Sequence, residues 1–322
     1  MHKNNDHRFA HQLIEKYHDS DTSLCIVVKD SKEAKLINNE LSLYLNSENI
    51  NYFPENEILP YDHFSAPDNI LSDRFSILNS LDKEKKIIIT TIKSLFELYP
   101  TKDFFQSKEI FNLGDSLSLN RLEKILISLN YEKVNKIEGI NQYSLRGGII
   151  DIYTPIYRNP LRIEIFDDSV ESVRFFDLET QSSIEKSNNF RLSKSSLYTF
   201  DDHNLKIFRD NWREYFQEYD ERHCEIFQNL NTSRKAEGSD IYLPLFFSKT
   251  SNFFEIFNSH SFIILDNFDD EIDSYNNYIQ QRFDDENIDS QRPLLLPNDL
   301  FCSLEIIKNK LPQKSIWDFD IY

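Results

Sequence analysis

Residues 144–177 constrain the fold of this chain more than any other stretch. They read SLRGGIIDIYTP and then, from Leu161, LRIEIFDDSVESVRFFD. A Gly-Gly step leads into a β-branched strand that stops at Pro155, and a second apolar-alternating run follows. Successive strand residues face opposite sides of a sheet. Leu161, Ile163 and Ile165 therefore share one face, and Arg162, Glu164 and Phe166 share the other. A three-residue loop of Asp167, Asp168 and Ser169 pairs Phe166 with Val170 and Arg162 with Arg174. That register adds Val173 and Phe175 to the apolar face. A two-residue loop shifts the parity and buries Arg174 unpaired beside the isoleucines, which is costly. The three-residue loop is expected, with Arg162, Arg174 and Phe176 on the outer face. Two neighbouring arginines repel, so an acidic partner group would relieve a cost already present. Arginine together with an aromatic ring on one face has the composition of a protein-binding surface.

The rest of the chain sets the class. Its 322 residues leave room for two or three compact modules. With 26 phenylalanines and 16 tyrosines it can build real cores and is not a disordered chain. Its net charge of −18 repels phosphate backbones, so nucleic acid is an improbable independent ligand. The densest basic cluster, Lys83 to Lys86, is interrupted by Glu84 and reads as a solvated loop. Cys25, Cys224 and Cys302 are too far apart in sequence for a metal spacing or a paired framework, and point to a reducing compartment. No apolar run approaches the ~18–20 residues of a membrane span, and the N-terminus carries no signal-peptide core. A soluble, cytoplasmic protein is expected.

Periodicity gives a coarse order of elements. Residues 8–17 fit a helix with Phe9, Leu13 and Tyr17 on one face. Residues 24–28 and 87–91 are continuous apolar runs, as in buried parallel strands. Ser31 is a candidate cap for a helix carrying Ala34, Ile37, Leu41 and Leu45, and a helix is expected over 92–98. Gly114-Asp115 breaks this alternation. Ser118 then caps a helix with Leu119, Leu122, Ile125, Leu126 and Leu129 at helical spacing, and the strands of 143–177 follow. From Asp201 the helix–strand character returns, with a helix over 204–219, a strand over 261–265 and a long polar helix over 269–286. The expected fold class is α/β: one domain with a mainly parallel sheet, interrupted by a small α+β module. Its parts are 1–115, the inserted 116–198, and 199–322.

Catalytic signatures are weak. There are only five glycines, and none precedes a lysine, so neither G-x-x-x-x-G-K-[ST] nor G-x-G-x-x-G is present. No nucleotide or other cofactor is expected. Gly147-Gly148 opens a strand rather than a helix and reads as a tight turn or bulge. Glu164, Asp167, Asp168 and Glu171 resemble a nuclease-type carboxylate cluster, yet Asp-Asp is ordinary turn chemistry. His7 and His11 stand at i, i+4 with no third ligand nearby in sequence except His18, and read as a solvated helix face. His223 and Cys224 are adjacent, which points their side chains apart on a helix. No catalytic residue and no metal site is expected.

Several segments together are familiar: FPENEILPYDHFSAP from Phe53 with Arg74 downstream, YSLRGGIIDIYTP from Tyr143, LRIEIFDDSVESVRFFD from Leu161, YLPLFF from Tyr242 and RPLLLP from Arg292. In that order they resemble the N-terminal part of the bacterial transcription-repair coupling factor, a region similar to the UvrB subunit of excision repair. The resemblance implies an α/β domain derived from a motor lobe that has lost its nucleotide loop, with the inserted module recruiting the damage-recognition ATPase UvrA. It implies that Arg162, Arg174 and Phe176, with Arg146 beside them, form the UvrA-binding face. RNA polymerase and DNA would be engaged only through the family's later modules, which lie beyond residue 322, so a fragment or a truncated gene is expected. The two competing readings are a DNA-binding repair protein and a metal-dependent nuclease.

Overall fold

The computed structural model describes residues 8–81, 85–106, 109–289 and 291–312. His7, Lys83 and Glu84, and the side chain of Phe9, lie outside what it describes.

The chain is α/β. Four parallel strands run in the order His260–Ile264, Ser23–Val28, Ile87–Thr91, Ile50–Tyr52. Ser23–Val28 is buried along its whole length, as a parallel strand covered on both faces must be. Alternation divides its side chains between two cores. Leu24, Ile26 and Val28 meet Leu13 and Ile37 from the helices Arg8–Asp19 and Ser31–Leu41. Cys25 and Val27 face a larger, aromatic core that includes Phe53, Phe208, Trp212 and Tyr242. The Trp212 ring sits 4.8 Å from Phe216, 5.0 Å from Tyr242 and 5.1 Å from Phe227, centroid to centroid. Helices Asp202–Tyr215, capped by Asp201, and Asp269–Glu286 complete this side.

Two local expectations are corrected. The cap of Ser31–Leu41 is Asp30, whose carboxylate accepts the Glu33 amide at 2.9 Å. Asp30 is the last residue with extended backbone, so its side chain, not that of Ser31, reaches the third helical amide. Residues 92–98 do not form an α-helix. Ile92–Phe96 is a 3₁₀ segment, and Leu98–Tyr99 then pairs with Ser251–Asn252. The tighter winding suits a short connector that must re-enter a strand.

Arg74 is buried at the centre of the aromatic core. It donates to Pro54 O at 2.9 Å, to the Tyr99 hydroxyl at 3.0 Å and to Glu97, with its guanidinium carbon 4.6 Å from the Phe53 ring centroid. Burial works against its charge, but Glu97 and Tyr99 outweigh burial and hold Arg74 above its ordinary value.

Residues between 109 and 192 build a third core of their own. Helix Leu119–Ser128 is capped by Ser118, whose hydroxyl accepts the Arg121 amide at 3.2 Å. It covers a six-stranded sheet ordered Ser183–Ser187, Ser169–Phe176, Leu161–Phe166, Ile149–Tyr153, Gln142–Arg146, Glu132–Lys133. At the base of this module Glu109–Asn112 pairs antiparallel with Asn189–Leu192, stacking Phe111 on Phe190 with ring centroids 5.0 Å apart.

On the returning segment the Lys194 ammonium donates to Phe104 O and lies 4.1 Å from the Phe104 ring centroid. Burial pulls Lys194 down from 10.5 to about 8, opposed by Asp201 and Glu109. The folded chain therefore releases this proton near pH 8, while the unfolded chain keeps it to near 10.5. Between those values the unfolded state binds more protons, so stability rises with pH. Urea unfolding should show a gain of about 1–2 kcal/mol from pH 7.5 to 9.5, and Lys194→Met should abolish it. A flat or falling profile in the parent chain would contradict this assignment.

Candidate functional site on the six-stranded sheet

The hairpin Leu161–Phe166/Ser169–Phe176 is joined by two residues, not three. Ser169 pairs with Phe166, and Asp167 and Asp168 take φ of 49° and 55°. Positive φ at both central residues is the type I′ geometry whose twist matches that of the flanking strands, and aspartate tolerates it. The parity shift that argues against a short loop is undone inside the strand. The register slips between Val170 and Ser172, leaving Glu171 as an exposed bulge. Val170 and Val173 both reach the core, and Arg174 still lies opposite Arg162. The expected arginine pairing is correct, and the loop expected to produce it is not.

Gly147 and Gly148 form the tight turn read from the sequence. Gly147 has φ of +61°, and a Cβ on Gly148 would come within 2.8 Å of Ile165 O. This close approach lets the Gln142–Arg146 and Ile149–Tyr153 strands dock beside the arginine hairpin.

Strand pairing lines up Ser144, Asp151, Arg162, Arg174 and Lys186 across five strands on the outer face. Asp151 is 1% exposed and is gripped by two arginines. Arg162 donates to it from Nε at 2.7 Å and Nη2 at 2.8 Å, and Arg146 from Nη2 at 2.9 Å. Arg162 Nη2 also donates to Gln181 Oε1 at 3.1 Å. The hydrogen bonds to Asp151 are the main cause that holds the Arg162 guanidinium above its ordinary value. Arg174 donates to Glu164, which also accepts from Ser172 Oγ at 3.0 Å. Each arginine thus has a carboxylate of its own module, and the expected unrelieved repulsion between Arg162 and Arg174 is absent. The strand residues of this parity leave the face slightly positive: Arg146, Arg162, Arg174 and Lys186 against Glu132, Asp151 and Glu164 give four minus three, or +1, on a chain of net −18, with the exposed carboxylates of Asp167, Asp168 and Glu171 at its hairpin end.

Phe176 requires a second correction. It shares the parity of Arg174 but is 0% exposed, with the Arg162 guanidinium carbon 4.3 Å from its ring centroid. It is the floor under Arg162, not a surface side chain. Phe175 faces inward and packs on Tyr157 at 5.1 Å. The exposed aromatic residue of this face is Phe166, at 74%. The same alternation that selects Arg162 also selects Phe166, yet its place beside a turn made it look like a strand end. Arg146, whose side chain is 57% exposed, stands one row from Arg162 on the same face. Neither Asp151 nor Glu164 was anticipated as an arginine partner, because sequence alone does not show which carboxylate a bulged register brings alongside.

The other candidate constellations dissolve. Asp167 and Asp168 are the turn, and Glu164 is engaged by Arg174. Among the described residues no group of three His, Cys, Asp or Glu side chains is placed to hold a metal ion. His11 pairs with Glu15 at 3.3 Å. Cys224 is buried, with its thiol pushed up by burial, while the exposed His223 turns to Asp220 at 3.3 Å. Cys25 and Cys302 are likewise buried free thiols.

The sheet coincides with a known family. Residues 110–198 match the UvrB interaction domain. The chain is similar to transcription-repair-coupling factors. The Rickettsia bellii protein of that name is 31% identical over 297 residues, covering 88% of this chain and 26% of the relative. Those of Haemophilus influenzae and Escherichia coli are 27% and 25% identical, each covering 89% of this chain and 25% of the relative. The chain thus spans about a quarter of the length of the relatives it matches.

The buried and exposed phenylalanines should separate in unfolding experiments. Phe176→Ala should lower stability by about 3–5 kcal/mol, and Phe166→Ala by less than about 0.5 kcal/mol. Asp151→Ala should cost about 3–5 kcal/mol, because it strands the half-buried Arg162. Urea midpoints at constant slope would measure all three, and equal losses for the two phenylalanines would contradict the geometry.

Proposed function

We propose that this chain is a non-catalytic recruitment region of transcription-coupled excision repair, and that its six-stranded sheet binds UvrA. One observation carries the proposal: the family-matched segment presents, on an acidic chain, a face that gathers three arginines and a lysine with one exposed aromatic residue. Such a face is steered toward acidic surfaces, and arginine–aromatic clusters are favoured as hot spots. Arg146, Arg162 and Phe166 are the contact residues on this reading, with Arg174 beside them. Phe176 acts indirectly, by fixing Arg162 from beneath.

Binding would be measured by titrating immobilised UvrA with each variant. Arg146→Ala, Arg162→Ala and Phe166→Ala should each weaken it by roughly 1–3 kcal/mol. Arg146→Ala and Phe166→Ala should do so without loss of fold. Full binding by the Arg146→Ala/Phe166→Ala double variant would place the contact elsewhere.

The proposal extends to the α/β domain as a motor-like lobe without nucleotide chemistry. Helix Ser31–Leu41 follows a parallel strand, a geometry that elsewhere presents amides to phosphate. Here Asp30 accepts the Glu33 amide, and Glu33 accepts the Lys29 amide at 3.1 Å, so carboxylates sit where an anion would. Purified chain should show no ATP turnover above a blank, and turnover that survives rigorous repurification would overturn this part.

The module is also proposed to fold alone. The sequence boundary at 116 would remove Phe111, which the core contains. Residues 109–198 should unfold cooperatively, and 116–198 should be the less stable piece.

A further inference from the structure

Arg162 is held by a carboxylate on one side and by a neutral amide on the other. A guanidinium carries N–H donors on Nε, Nη1 and Nη2. Nε and one hydrogen of Nη2 go to the two oxygens of Asp151, at 2.7 and 2.8 Å. The other hydrogen of Nη2 goes to Gln181 Oε1 at 3.1 Å. The side chain is 18% exposed, and Nη1 keeps the donors that a partner can reach.

The loop over residues 177–182, which joins strands Ser169–Phe176 and Ser183–Ser187, places Gln181 there. The Gln181 amide donates to Asp177 O at 2.8 Å, and the Asp177 amide donates to Ser182 O at 2.9 Å. The Thr180 amide donates to Asp177 Oδ1 at 2.7 Å. Within this loop Gln181 has φ of +59°, a region that a residue other than glycine seldom occupies and that is concentrated at functional positions. Its side chain is engaged at both ends. Nε2 donates to Leu178 O at 2.8 Å, which turns Oε1 to the arginine.

Charge explains why an amide suits this position. Asp151 is one carboxylate between the Arg146 and Arg162 guanidiniums, so the three groups carry two minus one, or +1. A carboxylate at position 181 would hold Arg162 as well and bring the group to zero. An amide accepts the same hydrogen bond and leaves the excess charge for an acidic partner.

We propose that Gln181 is a positioning residue for docking on this face: its neutral amide sets the Nη1 edge of Arg162 toward the partner and preserves the excess positive charge that an acidic side chain there would meet. The inference rests on the reading of the six-stranded sheet as the UvrA-binding surface.

Immobilised UvrA would be titrated with the full chain carrying Gln181→Gly or Gln181→Glu, alone and combined with Arg162→Ala, and urea unfolding would be followed for each. Glycine takes positive φ without strain, so Gln181→Gly should keep the parent's unfolding midpoint. It should weaken UvrA binding about three- to tenfold, and this effect should vanish when Arg162 is already alanine, because the side chain acts through that arginine. Gln181→Glu, which still holds Arg162 but cancels the excess charge, should weaken binding by about tenfold or more. If Arg162→Ala does not fold, Arg162→Lys, which keeps a charge beside Asp151 but lacks the group that Gln181 holds, takes its place. Parent-like binding by either Gln181 variant would overturn the proposal, as would an equal loss from Gln181→Gly with and without Arg162. The docking reading fails separately, through full binding by the Arg146→Ala/Phe166→Ala double variant, so the two failures are told apart.

Discussion

The pairing of Ser23–Val28 with Ile87–Thr91 on one edge and His260–Ile264 on the other is the constraint from which the architecture follows. The central strand of the parallel sheet is in place early in the chain, but its second neighbour arrives more than two hundred residues later. Until it does, one edge of a strand that is apolar from Leu24 to Val28 is unpaired. Everything between must therefore begin and end close together, and the Glu109–Asn112/Asn189–Leu192 pair supplies that closure. Long-range parallel pairing of this kind is slow to form because loop closure precedes its reward. A segment with a core of its own, bounded by an antiparallel pair, is a low-entropy way to span the interval.

On the six-stranded sheet, the arginine face depends on Asp151. A buried carboxylate is tolerated only when paired and hydrogen-bonded. Arg162 and Arg146 supply both, and in doing so they are held upright. The Phe176 ring beneath Arg162 fixes the remaining freedom through a contact of the cation–π type. Pre-organised arginines lose little side-chain entropy on meeting a partner. The arginine charges of the face are therefore paired with carboxylates of the same module, although Arg174 Nε and Ser144 Oγ are buried without a partner, which differs from a surface that holds unrelieved repulsion in reserve.

The sequence made the strongly periodic features legible. Three of the four parallel strands, the helix Asp269–Glu286 and the Ser118-capped helix are written in runs and spacings that local physics reads directly, whereas the three-residue strand Ile50–Tyr52 is too short to show a pattern. The opposition of Arg162 and Arg174 was also legible, because burying either among isoleucines is prohibitive. The means was not. A two-residue turn followed by a bulge at Glu171 gives the same parity as a three-residue loop, and alternation alone does not distinguish them. Phe176 shows the limit of face assignment. Alternation says which side a residue is on, but whether it is covered depends on a neighbour, here Arg162, folding over it. Phe166 was legible in principle, since its face follows from the same count as that of Arg162.

The central claim is that the positive face of the six-stranded sheet is where UvrA docks. Hydrogen–deuterium exchange of the full chain, with and without saturating UvrA, tests it most directly. The account predicts added protection concentrated in the Gly147–Gly148 turn and the Leu161–Phe166 strand with its Asp167–Asp168 turn, and none on the helices Arg8–Asp19 and Ser31–Leu41. Protection confined to the α/β domain, with the arginine hairpin unchanged, would contradict it.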